Sequence, residues 1–194
     1  MSMISHLCQV EDEEIDKLLD HPEYILEFLY GEPRPILRTG FLSFLLGNKP
    51  KKPAKPGPDW VRNKSILQAD LDKTWHGIHF LLTETDWEGE EPLCYLVKGG
   101  KEIGNIDVGY GPARCIKSVQ VKRFADALKS IETEELKRRF DPKKMMELDI
   151  YPTIWDRDPE EDDTLEYLIW GYNTLRAFVN EAVEMNKGLI FYIN

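Results

Sequence analysis

The sequence predicts an α+β fold, a small and mostly antiparallel sheet packed with several helices in a single domain. Three observations carry that expectation. β-forming segments stand at both ends, "SMISHLCQV" at the start and "LIFYI" at the close. A glycine-bearing run of β formers, "KEIGNIDVGYGPARCIKS", lies near the middle. Helical periodicity fills the space between them, without the regular strand–helix–strand alternation of a doubly wound sheet. The chain has 194 residues, long enough to bury a core. Its 42% hydrophobic and 31% charged residues are the balance of a folded globular protein.

The elements follow in order. After the opening strand, "EDEEIDKLLDH" predicts a helix whose acidic first turn complements the helix dipole. "PEYILEFLYG" predicts a second, shorter helix, with Pro22 near its start and Gly31 closing it. Residues 47–58 hold four lysines and four prolines and predict an extended surface loop. "ADLDKTWHGIHFLLTET" reads as a helix capped by Asp70, and "EPLCYLVKGG" as a short helix closed by Gly99 and Gly100. The middle β segment carries glycines at 104, 109 and 111, the mark of a tight turn or bulge. Ser118, Thr133 and Asp141 each stand where they can cap a following helix. The clearest helix is the last. Leu165, Leu168, Tyr172, Leu175, Val179 and Ala182 form one apolar stripe over about five turns. Gly188 ends it ahead of the closing strand.

The net charge of −10 is unevenly spread. Residues 1–33 sum to −8, residues 34–70 to +6, and residues 145–194 to −8. A chain this acidic repels phosphates, so nucleic acid is not an expected partner, whereas a basic protein is. The start "MSMISHLCQV" lacks the basic region and apolar run of a secretory signal. No stretch approaches the roughly 18 apolar residues of a membrane span. Cys8, Cys94 and Cys115 form no CxxC pair, which suggests neither a disulfide framework nor a thiolate zinc site. A cytoplasmic location with reduced thiols is expected, with no membrane association and no cofactor.

Two stretches hold candidate chemistry. His76 and His79 lie three residues apart, where side chains on a helix are neighbours, and Asp72 is placed to accept a hydrogen bond from His76. Two imidazoles make half a metal site, yet "HGIH" lacks the i, i+4 spacing and intervening acid of a zincin. A buried pair bonded to the backbone is the favoured reading, ahead of a general base and ahead of a metal ligand. In "IDVGYGPARC", a glycine turn presents Asp107, Tyr110 and Arg114. Arg114 can clamp an anion bidentately, or can form a structural pair with Asp107. "WDRDPEEDD" lacks the alternation and glycine of a calcium loop and reads as a solvated helix start.

Taken together, the start "SMI", then "DLDKTWHGIHFLLT", "IGNIDVGYGPAR", "FADAL", "EEL", "RFDP" and "DIYPTIW" resemble the YfbM-like bacterial family of unknown function. The resemblance covers most of the chain and fades over residues 31–65. It implies a compact, cytoplasmic, bacterial α+β domain and carries over no catalytic residue. Small acidic proteins of this size are also similar to bacterial immunity proteins, which neutralise a toxin by binding it.

The expected function is therefore a non-enzymatic protein-binding module, of immunity type by that analogy, with a basic protein as partner. The alternative is a small-molecule enzyme or binder. In it His76 or His79 is the base, and Asp107, Tyr110 and Arg114 complete a cleft for an anionic substrate. The two make different demands on structure: convergence of these residues in a concave site, or an exposed apolar patch rimmed by acids.

Overall fold

A computed structural model describes residues 2–31, 57–62 and 66–194. Strand β1 (Ser5–Val10) leads into helix α1 (Asp12–Asp20), a 3-10 turn (Pro22–Tyr24) and helix α2 (Ile25–Tyr30). Gly31 ends α2 in the left-handed region at φ 73°, as the sequence led us to expect. Residues 47–56 of the Lys/Pro-rich segment lie outside the described residues. A single turn, α3 (Asp59–Arg62), and a short strand, β2 (Gln68–Asp70), follow. Then come α4 (Trp75–Thr83), the hairpin β3 (Lys101–Asp107) and β4 (Pro112–Ile116), α5 (Ser118–Lys129), α6 (Thr133–Arg139), α7 (Pro142–Glu147), α8 (Thr164–Glu184) and β5 (Gly188–Ile193).

The strands form one sheet in the order β2-β1-β5-β4-β3, antiparallel at every pairing. The chain thus has the α+β fold expected of it. The closing strand occupies the centre of the sheet, between β1 and β4, and Leu189, Ile190, Phe191 and Tyr192 are all buried. That explains why "LIFYI" is apolar at every position instead of alternating: a central strand covered on both faces needs no polar side.

Both faces are covered. Leu7, Ile116, Leu189 and Phe191 point into a core shared with α4, α5 and α8. Cys8, Val10, Ala113, Cys115, Ile190 and Tyr192 point into a second core with α1, α2 and α3. Gly188 opens β5 where the Ile116 carbonyl and the Ile15 side chain approach so closely that a Cβ would sit 2.7 Å and 2.4 Å from them. The α8 stripe faces the first core as expected, with Leu168, Tyr172, Leu175, Val179 and Ala182 buried. Among the described residues, no helix is long and apolar enough to cross a membrane.

Several local expectations are corrected. Asp70 does not cap α4. It closes β2 opposite His6, and its carboxylate accepts the Asp72 N–H at 2.6 Å. Asp72 itself has φ 46°, so the helix begins only after Thr74, whose hydroxyl donates to the Leu71 carbonyl at 2.6 Å. Pairing with the edge of β1 takes the residues that helical periodicity alone assigns to the first turn. "EPLCYLVKGG" is a succession of turns and not a helix. Ser118 is the first residue of α5 and not its cap; its N–H and hydroxyl both donate to the Asp12 carboxylate of α1, each at 2.8 Å. Asp141 does cap α7, accepting the Lys144 N–H at 3.0 Å.

Candidate functional site

Helix α4 lies between α8, the loop that follows α4, and the turns that precede α8. Trp75 through Leu82 are all buried, His76 and His79 completely. This environment dictates how the imidazoles are used. The Tyr151 N–H donates to His76 Nδ1 at 3.0 Å, so the proton of the neutral ring must sit on Nε2. From there it is donated to the Asp86 carbonyl at 2.9 Å. Both ring nitrogens are thereby occupied by backbone, and burial holds the pKa of His76 below its ordinary value. Asp72, the expected partner, instead accepts the Tyr167 phenol at 2.7 Å.

His79 is less completely engaged. Its Nε2 lies 3.3 Å from the Thr83 hydroxyl, and its Nδ1 is buried without a hydrogen-bond partner. Burial, helped by neighbouring His76, pushes its pKa down to about 4. Both histidines are therefore neutral at pH 7. Among the described residues no group of three or more His, Cys, Asp or Glu is placed to hold a metal ion.

The second candidate stretch is a hairpin. The Asp107 carboxylate accepts the N–H groups of Gly109 at 2.8 Å and Gly111 at 3.1 Å, closing the turn. Tyr110 is exposed at its tip, and its N–H donates to Ile193. Arg114 stands across from Glu102 and donates to the carbonyls of Gly99 at 3.1 Å and Leu96 at 3.0 Å. Its guanidinium is buried, which lowers its pKa to about 10, and it lies over the Phe191 ring. Arg114 therefore binds the turns of residues 91–99, where sequence reasoning offered Asp107 as its partner. No hydrogen bond links His76, His79, Asp107, Tyr110 or Arg114 to one another among the described contacts. Cys8 and Cys115 are buried thiols with pKa values pushed up by burial to about 12 and about 11, and Cys94 is raised likewise.

The arrangement that sequence reasoning missed is aromatic. Trp87 lies against His76 with ring centroids 4.2 Å apart, Trp75 stacks on His76 at 5.1 Å, and the two indoles are themselves 6.0 Å apart. Trp75 in turn stacks with Tyr151 at 5.8 Å. Tyr151 neighbours Tyr167, which stacks on Trp170 at 6.2 Å with rings nearly parallel. The two end members reach the surface: Trp87 is 51% exposed and Trp170 is 52% exposed. Trp87 also sits in residues 84–91, "ETDWEGEE", which hold five carboxylates and no base. The signal legible in sequence was a tryptophan among acids, though nothing there shows that a buried histidine supports it.

A cleft of about 650 Å³ lies between α7 and the start of α8. Phe140, Met146, Trp155 and Leu165 line it, under a rim that includes Lys143 and Arg157. Arg157 is paired with Asp162.

A family model described as a domain of unknown function (DUF1877) matches residues 1–192. The protein YfbM of Escherichia coli strain K12 is 24% identical over 201 residues, covering 97% of this chain and all of that one. The crystal structure of that protein of unknown function matches with a TM-score of 0.64 at 19% identity, over 98% of this chain and 99% of the other. At that identity the likeness shows the fold.

Proposed function

We propose, for a chain that belongs to the DUF1877 family of unknown function, that it is a non-enzymatic protein-binding module whose partner is a basic protein. Trp87 carries this reading. A half-exposed indole, packed on the buried rings of His76 and Trp75 and flanked by five carboxylates, leaves apolar surface in water. Exposed tryptophans of this kind are the anchors of protein interfaces, where a few buried aromatics supply most of the affinity. Trp170, stacked on Tyr167, offers a second anchor. The charge of −10 steers a basic partner towards such a face. The setting is cytoplasmic, where the three free thiols stay reduced. An immunity-type role, capture of a basic toxin, is the form that size and charge favour.

The alternative of a His/Asp/Arg cleft has less support. Asp107 and Arg114 spend their hydrogen bonds on backbone groups of their own surroundings, and His79 is fully buried with a pKa of about 4.

The test is capture of basic proteins by the immobilised chain, compared with Trp87→Ala/Trp170→Ala. A basic protein should be retained by the wild type, released by salt and lost with the double variant. Equal retention by both would remove this surface from any binding role.

A further inference from the structure

We infer that Trp87 is the receptor for an arginine side chain of the partner, its guanidinium lying on the open face of the indole and reaching the Asp86 carboxylate. This rests on the protein-binding reading above and names what that surface recognises.

The inner face of the indole is taken by His76 at 4.2 Å, and His76 is itself locked by the Tyr151 N–H and the Asp86 carbonyl. The ring is thus held in place before any partner arrives, so little side-chain entropy remains to be lost on binding. The ring beneath is neutral, because Nδ1 accepts a backbone proton, so no positive charge under the indole opposes an arriving cation. Trp87 is 51% exposed, so part of the indole remains open to solvent.

The carboxylates around it are not equivalent. Glu84 faces Arg139 at 3.7 Å, Glu88 holds Lys98, and Glu91 accepts from the Tyr95 hydroxyl at 2.9 Å and the Gly100 N–H at 2.8 Å. Asp86 forms no ion pair among the described residues. Its Oδ1 accepts the Trp87 N–H at 2.7 Å, which places the carboxylate directly beside the backbone that carries the indole. An aromatic face next to an unpaired carboxylate fits a cation that is flat, weakly hydrated and able to donate in a fork. Guanidinium has all three properties; an ammonium is compact and strongly hydrated.

The experiment is fluorescence polarisation with two labelled peptides of equal length and charge, one arginine-rich and one lysine-rich, at about 0.15 M salt. The arginine peptide should bind the wild type about tenfold more tightly than the lysine peptide. Trp87→Ala should bring the arginine peptide down to the lysine level and leave the lysine peptide nearly unchanged. Asp86→Asn should weaken the arginine peptide alone. Equal affinities, or binding of neither peptide, would overturn the guanidinium inference. Protein capture that still depends on Trp87 would then leave the binding role standing, and loss of that dependence as well would overturn both.

Discussion

His76 joins Tyr151 to Asp86: it takes the Tyr151 N–H on Nδ1 at 3.0 Å and gives its own Nε2 proton to the Asp86 carbonyl at 2.9 Å. Helix α4, the loop that follows it and the distant turn at Tyr151 meet at one ring, which also supports the exposed Trp87. His76→Ala removes the ring and leaves a buried N–H and a carbonyl without their partner. We expect a loss of about 2–4 kcal/mol in urea unfolding. Trp87 emission in the folded variant should shift as its support is lost. A variant as stable as the wild type would show that other groups take over these bonds.

The pH dependence of stability follows from the direction of the histidine shifts. In the unfolded chain an imidazole protonates near its ordinary value of about 6.5. In the fold, burial holds His79 at about 4 and His76 below the ordinary value. The contribution is complete above about pH 6.5 and is lost as pH falls towards 4, because the unfolded state binds the proton first. For His79 this amounts to up to roughly 2 kcal/mol by about pH 5. The difference between wild type and His79→Gln in urea midpoint, measured at both ends of that range, isolates it from the carboxylates. A pH-independent difference would show that His79 is not buried neutral.

Helices α4 and α8 meet at glycines. A Cβ on Gly171 would lie 2.2 Å from the Thr74 hydroxyl oxygen and 2.7 Å from its Cβ. Gly171→Ala should therefore destabilise by about 1–3 kcal/mol, although alanine is the better helix former by about 1 kcal/mol. A stabilised variant, measured by thermal unfolding, would contradict this packing.

Asp12 bridges the two faces of the sheet by capping α5 from α1. Asp12→Ala should cost about 1–2 kcal/mol, the range of a lost helix cap. Ser118→Ala, which keeps the N–H bond, should cost less. Equal costs would place the energy in the hydroxyl.

The thiols offer a test without mutation. Cys8, Cys94 and Cys115 are buried with raised pKa values, so a thiol reagent should find almost no reactive cysteine in the native protein and three after denaturation. Fast native labelling of any of them would contradict their burial.

The amino-acid sequence by itself determined the family, the α+β class and most of the elements, because these depend on patterns local to the chain. The stripe from Leu165 to Ala182 can be buried only as one face of a helix, and Gly31 permits the left-handed residue that ends α2. Local pattern also placed His76 and His79 on a helix, at a spacing that turns both rings to one side. What each polar group bonds to was decided by the tertiary structure alone. Asp70 was drawn into β2 by pairing with β1, which lies more than sixty residues earlier in the chain. Asp72 went to Tyr167, Ser118 to Asp12, and Arg114 to the carbonyls of Leu96 and Gly99. The face around Trp87 exists only because α4 packs where Tyr151 and Asp86 converge on His76. A hydrogen bond is settled by which donor and acceptor are buried together, and the chain's periodicity carries no record of that meeting.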